Sequence, residues 1–206
     1  MVELEHREIP PELITFNKKN PTAGIDEFSK SDTFKPVKNT VKATLNALQG
    51  GLCVYCERNL KPDEGQLEHI KPKSKYFDLC FEYTNYAHGC IPKKGEKGKT
   101  CGQKKDDELL PIEPSISCNI NWTVANNGKI IPRININTEY KLQVEKTIKI
   151  LGLNDDKKLV TYRLQILNAL NELKSSSTEE DLQNYLQTQP FRYILKKYFD
   201  YFDYFD

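Results

Sequence analysis

Two cysteines separated by two residues, Cys53 and Cys56 in GLCVYCE, are followed by Cys90 and Cys101 in HGCIPKKGEKGKTCG, and this set constrains the chain more than any other feature it has. A tight CxxC turn aims two thiolates at one point, and a second sulfur pair completes a tetrahedron, so the four predict a structural zinc site. The stretch between Cys90 and Cys101 exceeds the usual ligand spacing of roughly two to four residues, which leaves His88 as an alternative fourth ligand. The N-terminal MVELEHREIPPE lacks a basic flank followed by an apolar stretch, and no run of apolar residues approaches the roughly 18 that span a bilayer. Neither export nor a membrane span is expected, and a cytoplasmic setting keeps thiols reduced, which favours ligation over disulfides. Cys80 and Cys118 have no partner at ligand spacing and are assigned to packing.

With 206 residues the chain has room for one domain with appendages or two small ones, and enough mass to bury a core. Thirty Lys and Arg against 29 Asp and Glu leave a net charge of +1, so no global excess announces a polyanionic partner and any nucleic-acid site must be local.

Composition divides the chain into four parts. Residues 1–38 carry Pro10, Pro11, Pro21 and Pro36 with little periodicity and predict an extended N-terminal arm. Residues 39–112 form the chemical module: Val41, Leu45 and Leu48 mark a helix stopped by Gly50-Gly51, and most of the cysteines and two of the three histidines follow. In residues 113–174, Asn127-Gly128 between apolar runs predicts a hairpin with a type I′ turn, and the stripes Val144/Ile148/Leu151 and Leu159/Tyr162/Ile166/Leu170/Leu173 predict two helices packing on the module. Residues 175–206 predict a helical tail. Thr178 and Asp181 form a capping box, Pro190 opens a last helix with Phe191, Ile194, Leu195 and Tyr198 on one face, and the chain ends in three Tyr-Phe-Asp repeats whose exposed aromatics suit a docking partner.

Between the cysteine pairs stand Glu68-His69-Ile70-Lys71-Pro72 and then Asn85, and after the last cysteine comes Gly102-Gln103-Lys104-Lys105. This order resembles an HNH nuclease: a Cys pair, an acid-His-Ile-x-Pro strand, a middle Asn, a second Cys pair and a Cys-Asn-x-x-Lys helix start. CVYCE, HIKPKS, CGQKK, LLPIEP, NNGKIIP and TIKILGLN extend the likeness over roughly residues 40–170 to the PtuB-like HNH nucleases of Septu antiphage systems, including retron-linked versions. The resemblance implies an α+β fold, a zinc-stabilised ββα-metal core with flanking helices and a C-terminal helical region.

It also implies roles. His69, with an ordinary pKa near neutrality, suits the general base. Glu68 matches the acid that holds a catalytic Mg²⁺ or Mn²⁺, although strand neighbours face opposite ways, so the two share a site only where the strand bends or ends; Pro72 suits an ending. Asn85 is expected to orient the histidine or its loop. Glu68 replaces the more frequent Asp, and Gly102 stands where many relatives carry a metal-binding Asn. If residues 101–109 are helical, Asp106 lies one turn on and supplies the missing oxygen, with Asp107 as fallback. His88 reads as structural and His6 as surface. Lys71, Lys73, Lys75, Lys93, Lys94, Lys97, Lys99, Lys104 and Lys105 gather near the site and suit phosphates.

The expected activity is metal-dependent cleavage of nucleic-acid phosphodiesters, DNA in preference, in complex with a PtuA-like ATPase contacted by the C-terminal helices and repeats. RNA or tRNA cleavage alongside a retron reverse transcriptase and its msDNA is the first alternative. A non-catalytic zinc module is the second.

Overall fold

Pro10 and Pro11 open a helix instead of extending an arm. In the computed structural model, which describes residues 1–91, 100–174 and 176–202, α1 spans Pro11–Lys19 and buries Leu13 and Phe16. A proline in the first helical turn gives up only an N–H that has no intrahelical partner, so the residue that argued against a helix marks where one begins. The expectation of an extended arm is corrected further by α2, Ile25–Lys30, which buries Phe28, and by α3, Phe34–Leu48, which starts ahead of Asn39 and buries Phe34, Val41 and Leu45. Gly50 and Gly51 then take positive φ, the expected stop.

The central ladder is short. Strand β1, Gln66–His69, pairs antiparallel with β2, Tyr86–Gly89, placing Leu67 opposite His88 and Glu68 opposite Ala87. Two 3₁₀ turns, Phe77–Leu79 and Tyr83–Asn85, carry the chain between them. Helix α4, Gly102–Lys105, follows. A second ladder pairs β3, Trp122–Val124, with β4, Ile130–Pro132. Its connection holds the expected Asn-Gly but not the expected turn. Gly128 alone is at positive φ, Gly128 N–H donates to Ala125 O at 2.8 Å, and Ala125 N–H donates to Lys129 O at 2.8 Å. This is a three-residue loop with a glycine bulge, which needs one left-handed residue where a type I′ turn needs two.

Four helices follow among the described residues: α5, Thr138–Leu151; α6, Lys157–Lys174; α7, Glu179–Thr188; and α8, Arg192–Phe202. Gly152 ends α5 in the left-handed conformation, and the Thr178–Asp181 capping box starts α7. No helix among the described residues is long and apolar enough to cross a membrane.

Two apolar clusters flank the β1–β2 ladder. The smaller holds the buried faces of α1, α2 and α3 together with Leu67, Cys80, Tyr83 and Tyr86. The larger gathers the four cysteines, Trp122, Val144, Leu151, Leu167 and Leu170, and also Phe191, Ile194 and Leu195. Helix α8 is therefore part of the main core and packs on β3, where a tail was expected. Glu57 explains the anchorage: its Oε2 accepts the N–H groups of Tyr193 at 2.8 Å and Ile194 at 3.3 Å, capping the start of α8 with a carboxylate. Tyr198, first of the repeats, is buried, and residues 203–206 lie outside the described residues.

Candidate active site and metal centre

The four cysteines converge. Cys53, Cys56, Cys90 and Cys101 are all buried, and their sulfurs lie within 4.8 Å of one another. The Sγ–Sγ separations are 3.9 Å for Cys53–Cys101, 3.8 Å for Cys56–Cys90 and 3.6 Å for Cys90–Cys101. A disulfide needs about 2.05 Å. A tetrahedron with Zn–S bonds of about 2.3 Å has edges of about 3.8 Å, so the donor set fits a tetrahedral metal ion. Backbone geometry holds it: Cys90 N–H donates to Cys53 Sγ at 3.3 Å, and Cys101, at φ 55°, donates its N–H to Leu151 O at 2.8 Å.

His88 stays out of this set. Its Nδ1 faces Asn46 Nδ2 at 3.0 Å and its Nε2 faces Glu64 O at 2.8 Å. An amide N–H donates and a carbonyl accepts, so the ring is the neutral Nε2–H tautomer with both nitrogens engaged. Gln49, also buried, bridges Leu52 O, His88 O and His88 N–H, which ties α3 to β2. Cys80 and Cys118 pack in the two cores. His6 is half-buried, with Nε2 2.8 Å from Tyr86 O.

A cleft of about 480 Å³ opens beside the β1–β2 ladder, with Glu68, His69, Gly102 and Lys105 in its walls and Lys38, Lys42 and Lys73 around it. Strand β1 ends at His69, which is how two neighbours in sequence reach one cavity. Glu68 is buried, and Gln66 Nε2 donates to its Oε1 at 2.7 Å. Gln103 Nε2 in turn donates to Gln66 Oε1 at 2.9 Å, linking α4 to β1. Burial pushes the Glu68 carboxyl up to about 7, against the opposing pull of the Gln66 hydrogen bond and of the Lys105 and Lys73 charges.

His69 sits 3.0 Å by Nε2 from Cys80 O, with its ring centroid 4.5 Å from that of Phe28 and 5.1 Å from that of Tyr86. Because the carbonyl only accepts, Nε2 carries the proton and Nδ1 holds the lone pair; Nδ1 makes no hydrogen bond among the described residues. Burial lowers the His69 pKa to about 4, and nearby lysines push the same way, so the ring is neutral at physiological pH.

Asn85 grips the exit from β1. Its Oδ1 accepts Lys71 N–H at 2.8 Å, and its Nδ2 donates to Lys71 O at 3.0 Å and Leu79 O at 3.2 Å. The loop carrying His69 is thereby tied to the 3₁₀ turns beyond it.

The expected helix over 101–109 ends at Lys105, and Asp106 leaves it at φ 49°. Asp106 and Asp107 are exposed and border the cleft. Among the described residues, no two further His, Cys, Asp or Glu ligand atoms gather with Glu68 as the cysteines gather. The lysines divide. Lys73 and Lys105 line the cleft, Lys104 is ion-paired with Asp155, and Lys75 donates to Asp107 O at 2.6 Å. Lys93, Lys94, Lys97 and Lys99 lie outside the described residues.

Lys105 stands among the lysines expected to face phosphates, but its burial against β1 was not foreseen. It is buried, donates from Nζ to His69 O at 3.2 Å, and has its pKa lowered by burial while Glu68 resists the change. In a lysine-rich run it looks solvated. The contribution of the N-terminal helices was missed as well: Lys38 donates to Phe28 O at 2.7 Å and sits 3.9 Å over the Phe28 ring, and Lys42 follows four residues later on the same face of α3. That i, i+4 lysine spacing was the available signal.

No known family profile matches the chain. A candidate HNH endonuclease of retron Vc95 from Vibrio cholerae serotype O1 biovar El Tor is 41% identical over 204 residues, covering 96% of this chain and 98% of that protein. The Septu protein PtuB of Bacillus thuringiensis is 29% identical over 169 residues, 81% of this chain and 60% of that one. Two-fifths identity along almost the whole of both chains, over a fold that unites four cysteines and sets Glu68 beside His69 in a basic cleft, shows that the chain is a nuclease belonging to the PtuB-like, retron-associated HNH endonucleases.

Proposed function

We propose that the chain is a metal-dependent HNH endonuclease that cleaves phosphodiester bonds, DNA in preference, as the effector of an antiphage complex with a PtuA-like ATPase. One observation carries the reading: Glu68 and a neutral His69 open into the same lysine-lined cleft. On this view β1, β2 and α4 are the ββα-metal core of a nuclease module spanning residues 39–112, and the cysteine quartet holds a structural Zn²⁺.

Glu68 would hold the catalytic Mg²⁺ or Mn²⁺, with Asp106 at the rim as a further oxygen donor. The donor chemistry suits such an ion, because hard cations take oxygen ligands and Mg²⁺ often uses one or two carboxylates completed by water and substrate phosphate. When bound, the ion neutralises charge on the scissile phosphate and the leaving oxygen. The chain's own groups do the rest. His69 Nδ1 accepts the proton of the attacking water, and the Cys80 carbonyl at Nε2–H fixes the ring and stabilises the imidazolium as it forms. Lys38, Lys42 and Lys73 offer positive charge to the backbone phosphates. Asn85 positions the His69 loop.

The retron name of one relative supports a setting beside a reverse transcriptase and its msDNA, and RNA or tRNA is the alternative substrate of the same cleft. The test is an assay of the chain, alone and co-expressed with its ATPase, on plasmid DNA and total tRNA with Mg²⁺ or Mn²⁺. Cation-dependent cutting is expected, with His69→Ala lower by about 10²- to 10⁴-fold. Phage protection by His69→Ala equal to that of the parent would overturn catalysis in favour of a binding module.

A further inference from the structure

Glu68 lies between two glycines. A Cβ built on Gly102 would stand 1.9 Å from Glu68 Oε1 and 2.0 Å from Oε2, and one built on Gly89 would stand 2.5 Å from Glu68 Cγ and 2.8 Å from Oε1. Both glycines have ordinary backbone conformations: neither lies in the left-handed region, Gly89 is a strand residue of β2 and Gly102 begins α4. Backbone freedom therefore does not explain them. Any L residue suits the φ at either position, and what excludes one is the carboxylate.

We infer that Gly89 and Gly102 are positioning residues that form a slot for the Glu68 carboxylate, and that side-chain length at 68 and emptiness at 102 are a coupled pair that sets where the cation is held. The inference rests on Glu68 being the cation ligand. A glutamate reaches one methylene further than an aspartate, and the extra length brings its oxygens into the volume that a side chain at 102 would fill. Gln66 donates to Oε1, and Gln103 holds Gln66, so the carboxylate lies against the two glycines and is steered by a two-amide relay. Gly102 is thus not a lost ligand alone. It is the space that a longer acid requires.

The test is a cycle on the full-length, zinc-loaded protein: Gly102→Ala, Glu68→Asp and the double variant, each titrated with Mn²⁺ by electron paramagnetic resonance and checked for zinc content and thermal midpoint. The clash at 102 is with the end of a flexible side chain, so Gly102→Ala is expected to fold and to displace the carboxylate. Each single variant should bind Mn²⁺ about 10- to 100-fold more weakly, the range seen when groups that orient a ligand are lost. The double variant should recover binding above either single one, because the methyl fills the space the shorter acid vacates. Unchanged Mn²⁺ binding by Gly102→Ala, or additive losses in the double variant, overturns the slot. Should Gly102→Ala fail to fold, the comparison of Glu68→Asp with the double variant decides alone: no recovery overturns the coupling. Parent protein that binds no Mn²⁺ overturns the metal reading and the inference with it, an outcome distinct from parent binding with an indifferent Gly102→Ala.

Discussion

A carboxyl group closed in by backbone and deprived of water resists ionising, and Glu68 carries that tension into the stability of the whole protein. Its folded pKa, about 7, lies above the ordinary value of 4.5. Between those two values the folded chain keeps a proton that the unfolded chain has released, so cation-free stability falls as pH rises through the window and the loss is complete above it. At 1.36 kcal/mol per pKa unit the loss is about 3 kcal/mol, a large part of the roughly 5–15 kcal/mol that holds a typical domain. Glu68→Gln keeps the shape and accepts the same Gln66 hydrogen bond without the charge. The cation-free variant should therefore resist urea better than the parent at pH 8, with the gap closing toward pH 5, and Mn²⁺ should raise the parent's midpoint alone. Coincident urea midpoints at pH 8 would refute this. His69 has the opposite sign: its folded value of about 4 keeps it neutral well into acid. The acid limb of kcat/KM should then follow Glu68, and more Mn²⁺ should move that limb to lower pH, since cation and proton compete for one carboxylate. A limb fixed at all Mn²⁺ concentrations would assign it elsewhere. The sequence made Glu68, His69 and the cysteines legible because their spacing is dictated by chemistry. It did not show that Lys105 is buried and not solvated, because burial of a lysine depends on partners distant in sequence, here His69 O and Glu68.

At the scale of elements, a two-stranded ladder of four residues per strand is too short to be rigid alone, and what fixes the end that carries His69 is side-chain bonding from outside it. Asn85 makes three of those bonds, to Lys71 N–H, Lys71 O and Leu79 O. Asn85→Ala removes all three and should lower stability by about 1–3 kcal/mol, as unsatisfied buried backbone groups do. It should also reduce kcat more than it raises KM, since the lysines around the cleft are untouched. A variant as stable as the parent with an unchanged kcat would show that the loop is held by other means. The elements that sequence periodicity revealed were the long amphipathic ones, α3, α5 and α6, and the capping box of α7. Those it obscured have local causes. Pro11 reads as a breaker unless it is recognised as a first-turn residue, and the 125–129 loop depends on whether one or two residues turn left-handed, which Asn-Gly alone does not decide. The role of α8 was hidden because its anchor, Glu57, belongs to the turn after Cys56, far away in sequence.

For the molecule as a whole, the cysteine quartet is central to the fold and not an appendage to it. The four residues sit inside the larger apolar cluster, together with Trp122 and the buried face of α8. Structural zinc in small thiolate sites contributes on the order of 10–16 kcal/mol at neutral pH, comparable to or larger than the net stability of a domain. If the quartet holds zinc as proposed, its loss leaves sulfurs facing one another at 3.6–3.9 Å, where any that stays a thiolate keeps the burial penalty without the ion's attraction. Metal loss should consequently dissolve the main core and not merely loosen the nuclease module. The single tryptophan, fully buried at Trp122, gives a direct report. The purified protein should contain about one zinc per chain. A strong chelator should shift Trp122 emission to the red in the same transition that removes helical circular dichroism, and Zn²⁺, but not Mg²⁺, should restore both. Complete zinc removal with Trp122 emission unmoved would mean that the core stands without the ion and that the quartet serves another purpose.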